Sequence, residues 1–140
     1  MADSITLRVI TPESIVVDTT ASSVKFPGLD GLMGVLPGHA PMVAALDSGA
    51  LTWTEGGAEK DMFVSGGFAE VRDGTVRLVT EASEPATDID VERAQRAAER
   101  ARERMRNRTP AEDGEPFDLF RAEASMRRAI QRLNVAKRRR

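Results

Sequence analysis

Asp88-Ile89-Asp90-Val91-Glu92-Arg93-Ala94 is the stretch at which the chain changes its pattern. Ahead of it, ten of the eleven glycines separate short runs of Val, Leu, Ile and Thr in which apolar and polar residues alternate. Behind it only Gly114 remains, and alanines recur among arginines at helical spacing. A period of two marks strands with one buried face, and a period near 3.6 marks an amphipathic helix. The chain therefore divides into a β unit over residues 1–87 and a helical unit over residues 88–140. Charge divides with it: residues 1–88 hold 13 acidic and 5 basic side chains, whereas residues 117–140 hold 2 acidic and 8 basic. Two ends so different in charge are suited to different surfaces.

Towards the N-terminus, Val76-Arg77-Leu78-Val79, Phe68-Ala69-Glu70-Val71, Met62-Phe63-Val64 and Leu51-Thr52-Trp53 read as strands. Val24-Lys25-Phe26, Ile15-Val16-Val17 and an opening strand within residues 5–10 precede them. Their spacing is close to the roughly 8 to 12 residues of sandwiches and barrels. Asp73-Gly74 supplies the positive φ angles of a type I′ hairpin. Gly66-Gly67, between two strand-like runs, predicts a bulge or a close backbone crossing, and with it a bent or closed sheet. The densest glycine–proline segment, Pro27 to Pro41, predicts rigid turns joining strands, or a preformed surface loop that meets a protein partner. It lacks the Gly-Lys-Ser/Thr of a phosphate-binding loop.

Towards the C-terminus, Asp88 or Asp90 caps a helix that carries Ala94, Ala97, Ala98, Ala101 and Met105 on one face and ends near Asn107. A polar loop through Thr109-Pro110 and Glu115-Pro116 leads to a second helix, with a stripe of Leu119, Ala122, Met126, Ala129, Ile130 and Leu133. Two helices and a short loop make an antiparallel hairpin. Alanine stripes approach closely but bury little area, so the hairpin is weakly held.

Composition narrows the function classes. With 140 residues, 41% hydrophobic and 30% charged, and a formal net charge of −2, the chain has the make-up of a soluble globular protein. A β unit of this size buries only about 60–65% of its unfolded surface, too little for a large enzyme core. There is no cysteine, which removes disulfides, thiolate metal sites and thiol catalysis and makes the cytoplasm the default compartment. Met1-Ala2-Asp3-Ser4 does not open a signal peptide, and no window approaches the roughly 18 apolar residues of a membrane span, so membrane association runs through another protein. His39, the only histidine, lacks a companion for a triad or a metal site and reads as structural or interfacial. The basic tail Lys137-Arg138-Arg139-Arg140 has no interleaved aromatics, which favours an acidic protein surface over nucleic acid.

Three segments together, Pro27 to Pro41, Ser65-Gly66-Gly67-Phe68-Ala69-Glu70-Val71 and Ile89-Asp90-Val91-Glu92-Arg93-Ala94, resemble the epsilon subunit of bacterial F-type ATP synthase, in order and over nearly the whole chain. The resemblance implies an N-terminal flattened antiparallel β sandwich of about ten strands, then a C-terminal antiparallel two-helix hairpin. It implies a non-catalytic central-stalk rotor subunit that links gamma to the c ring and couples proton translocation to ATP synthesis, peripheral on the cytoplasmic face of the inner membrane. Asp30, Gly31 and Leu32 would face the c ring and His39 would lie near gamma; Leu32 departs from a family position that is commonly polar or acidic. The basic C-terminal helix would reach the alpha and beta subunits. No cofactor is required, with ATP as an optional regulatory ligand at Glu84, Asp90, Arg93, Arg128 and Arg132. Arg128 and Arg132, four residues apart, would share a helix face. The alternative is a stand-alone ATP-sensing module built on the same residues.

Overall fold

Ten strands come first: β1 (Ile5–Ile10), β2 (Ile15–Ala21), β3 (Ser23–Gly28), β4 (Gly31–Val35), β5 (Met42–Ala45), β6 (Gly49–Glu55), β7 (Ala58–Ser65), β8 (Phe68–Arg72), β9 (Thr75–Val79) and β10 (Ala82–Pro85). A single 3-10 turn at Ala86–Asp88 leads to α1 (Val91–Asn107) and α2 (Leu119–Lys137). The computed structural model describes residues 3–110 and 113–138; Arg139 and Arg140 of the basic tail lie outside the described residues.

The strands form two five-stranded sheets, β2-β1-β9-β8-β5 (sheet A) and β10-β7-β6-β3-β4 (sheet B). Their inner faces meet in one core, to which sheet A contributes Leu7, Val9, Val76 and Leu78 and sheet B contributes Val24, Phe26, Leu51, Trp53 and Val64. This is the expected sandwich, with one pairing of the other sense: β1 runs parallel to β9, whereas the remaining pairs are antiparallel. Asp73 (φ 50°) and Gly74 (φ 75°) make the β8–β9 hairpin. Gly66 and Gly67 carry the chain from sheet B to sheet A, and the backbone at Gly67 passes so near Val79 that no side chain fits.

Three strands, β4, β5 and β10, carry no clear alternation in the sequence. β4 lies inside the glycine–proline segment, where Leu29-Asp30 turns a hairpin between the paired Gly28 and Gly31. Met62-Phe63-Val64 is an unbroken apolar run because β7 is covered on both sides, by the core on one and by the helices on the other.

Asp90 caps α1, its Oδ1 accepting from the Arg93 backbone N–H at 3.0 Å. Asp118 caps α2 in the same way through the Arg121 N–H. Ala94, Ala98 and Ala101 of α1 and Ala122 and Ala129 of α2 are buried. Leu119, expected in the stripe, is exposed: it lies one turn before Ala122, which already faces the Arg104 turn near the end of α1. In the connecting loop the Asp113 carboxylate accepts from the Glu115 N–H at 3.1 Å and from Arg121 at 3.2 Å. The backbone bond first, and the guanidinium second, hold it below the usual carboxylate range.

The hairpin lies on the outer face of sheet B. Val135 and Ala136 pack with Phe63, Ala86 and Ile89 in a small second core. Burying a valine contributes roughly 1.5–3 kcal/mol and an alanine less, so apolar contact alone holds α2 lightly. The basic helix also meets this chain's own acids: Arg127 pairs with Asp47, Arg132 with Glu84 and Arg138 with Asp61. The charge asymmetry of the two halves is thus met in part within the chain in this arrangement.

Candidate functional site

Where hairpin and sheet meet, the two helices and β10 enclose a cleft of about 310 Å³. Its floor on α1 is Ala94 and Ala97, small enough to leave room above the helix. Around that floor stand Asp90 and Arg93 from the first turn of α1, Arg100 two turns on, Glu84 from β10 and Arg132 from α2. Each is placed by local chemistry. Asp90 must sit at the helix start to cap it. Glu84 is turned outward because its neighbour across the ladder, Phe63, faces the helices. Arg132 is fixed twice, its Nε donating to Glu84 Oε1 at 2.7 Å and its guanidinium lying 4.5 Å from the centre of the Phe63 ring.

Four of the five residues expected to bind a nucleotide, Glu84, Asp90, Arg93 and Arg132, therefore line one cleft. Arg128 does not: its Nη2 donates to Ser125 at 3.2 Å along α2. Arg100 takes a place that sequence reading left empty. The signal was present, since Arg93 and Arg100 are seven residues apart and so share a helix face. Among the described residues neither of them has an ion pair, which leaves two guanidiniums directed at the cleft beside the neutralised Arg132. Three guanidiniums and two carboxylates suit a ligand that carries an anionic group and hydroxyl or amine donors. The volume is at the small end of small-molecule sites.

The expected interface residues form two separate points. Asp30 occupies the β3–β4 turn, followed by Gly31 and by Leu32, which is 70% exposed. His39 lies at the other end of β4, after a Pro37-Gly38 turn closed by the His39 N–H to the Leu36 carbonyl at 3.2 Å. Its Nδ1 is 2.7 Å from the Ala40 carbonyl oxygen, so the ring is oriented by its own backbone. Leu29, Leu36 and Val43, exposed by 62 to 70%, add apolar surface along this edge that sequence reading did not single out. No cluster of three metal-ligating side chains occurs among the described residues, and no described helix is long and apolar enough to cross a membrane.

These features define a two-part binding subunit: a rigid sandwich that presents an edge of loops, and a hairpin folded onto it over a basic cleft. Residues 4–86 match the family described as ATP synthase, Delta/Epsilon chain, beta-sandwich domain, and residues 87–137 match its long alpha-helix domain. The ATP synthase epsilon chain of Carboxydothermus hydrogenoformans is 48% identical over 110 residues, covering 79% of this chain and 82% of the relative. That of Nitratidesulfovibrio vulgaris is 40% identical over 135 residues, covering 96% and 97%. A chain in the cryo-EM structure of Euglena gracilis mitochondrial ATP synthase, OSCP/F1/c-ring, is similar with a TM-score of 0.79 at 28% identity, covering 94% of this chain and 80% of that one. A chain in the Tetrahymena thermophila mitochondrial ATP synthase central stalk/c-ring structure shares the fold, with a TM-score of 0.57 at 10% identity over 96% and 94%. The chain belongs to the ATP synthase delta/epsilon family. It is a non-catalytic subunit of F-type ATP synthase, with its place in the rotor stalk.

Proposed function

We propose that the sandwich fastens the gamma subunit to the c ring, so that proton-driven rotation reaches the catalytic head, and that the hairpin regulates ATP hydrolysis with ATP as its ligand. The observation that carries the regulatory part is the cleft itself: Arg93 and Arg100 face it without ion-pair partners among the described residues, and its walls come from both helices and from the sheet. A nucleotide bridging all three would hold the hairpin down. Asp90 and Glu84 would orient the base or ribose and the arginines, and Arg93, Arg100 and Arg132 would take the phosphates. Released from the sheet, the basic face of α2 would be free for acidic surfaces of the alpha and beta subunits. The apolar edge at Leu29, Leu32 and Leu36 supports contact with the rotor, and the complex would sit on the cytoplasmic face of the bacterial membrane.

Calorimetry with ATP on the full chain tests the ligand. We expect saturable binding that is lost in an Arg93→Ala, Arg132→Ala double variant; absence of heat at millimolar ATP would sink the ligand assignment. Regulation is tested by ATP hydrolysis of the assembled head with the full chain and with a chain ending at Asp88. Equal rates would remove the hairpin as a regulator.

A further inference from the structure

Two of the ion pairs that tie α2 to sheet B stand near the ends of its docked length. Arg127 Nη1 is 3.8 Å from Asp47 Oδ1, just ahead of β6. Arg138 Nη1 is 3.6 Å from Asp61 Oδ1 and 3.5 Å from the Thr52 hydroxyl, and Thr52 and Asp61 are neighbours across β6 and β7. Both anchors are met at once, with α2 packed on β6 and β7. A slide of one turn would carry each arginine about 5 Å from its acid.

The two anchors are unequal. Asp47 is 35% exposed, and pairs so open to solvent contribute little. The Asp61 side chain is 1% exposed. Thr52 donates to it at 2.6 Å, and a carboxylate sealed this far from water needs a cation as well as a hydrogen bond. Arg138, by contrast, is half exposed and gives up little hydration to supply that charge. Among the described residues, Val135 and Ala136 are the buried apolar side chains of this last stretch of the helix.

We propose that Asp61 and Arg138 form a terminal latch that keeps the last two turns of α2 on sheet B. It acts with the cleft empty and does not rest on the nucleotide reading. Hydrogen exchange on the full chain without nucleotide tests it, comparing Arg138→Gln, Asp61→Asn and the double variant over residues 133–137, with β1 as internal control. Each single change should speed exchange there on the order of tenfold, and the double should add nothing further, as coupled partners do. Arg127→Gln should change it less than twofold. Unchanged exchange in Arg138→Gln, single effects that multiply in the double, or an equal effect of Arg127→Gln would each overturn the latch. Should Asp61→Asn loosen β6 and β7 themselves, Arg138→Gln, which alters an exposed side chain, decides alone.

Discussion

A methyl group added at Gly67 would lie 1.9 Å from the Val79 carbonyl oxygen, on backbone whose φ is +100°. Neither the strand nor the turn can yield, because the Leu46 N–H donates to the Gly67 carbonyl at 2.9 Å and fixes the crossing from the other side. Gly66 also has positive φ, +69°, but its nearest neighbour atom would be 3.8 Å away, at the end of the flexible Glu81 side chain. The two glycines therefore do different work. We expect Gly67→Ala to destabilise the chain by about 4 kcal/mol or more, and Gly66→Ala by roughly 1–2 kcal/mol, the ordinary cost of left-handed backbone. Urea unfolding followed by the fluorescence of Trp53 measures both, and similar losses at the two positions would contradict the close-crossing account.

At the scale of elements, the helices pack through residues too small to hold them far apart. Ala129 is 1% exposed on the seam with α1. Ala129→Leu should overpack it, at about 1–3 kcal/mol. The loss should appear in thermal circular dichroism as an earlier helical transition, with the β signal unmoved. Both helices were legible in the sequence because an alanine period and a capping aspartate are local signals. β1, β3 and the Asp73-Gly74 hairpin were legible for the same reason. β4 and β10 were not, since their residues pair at an edge and show little alternation of burial. Val135 and Ala136 fall outside the stripe because α2 has two partners, α1 and sheet B, and a single period describes only one. In the cleft, the contributions of Glu84, Asp90, Arg93 and Arg132 followed from motif resemblance. Arg100 was legible from its seven-residue spacing to Arg93, whereas Arg128 turned to Ser125 because the rotation of α2 about its axis is set by packing rather than by spacing.

For the molecule as a whole, the sandwich core draws none of the described residues of the hairpin. A chain ending at Asp88 should fold, and should refold at a rate within about twofold of the full chain, because docking follows sheet formation rather than guiding it. Stopped-flow fluorescence of Trp53, the only tryptophan and a member of that core, reads the rate directly. A much slower truncated chain would mean that the hairpin takes part in nucleation. The parallel pairing of β1 with β9 makes the same order apply at birth. Thr6 meets Thr75 only after a loop of about 70 residues has closed. β1 therefore waits, with one side unpaired, until β9 has been translated. The helices emerge after all ten strands, and they arrive at a docking face that is already complete.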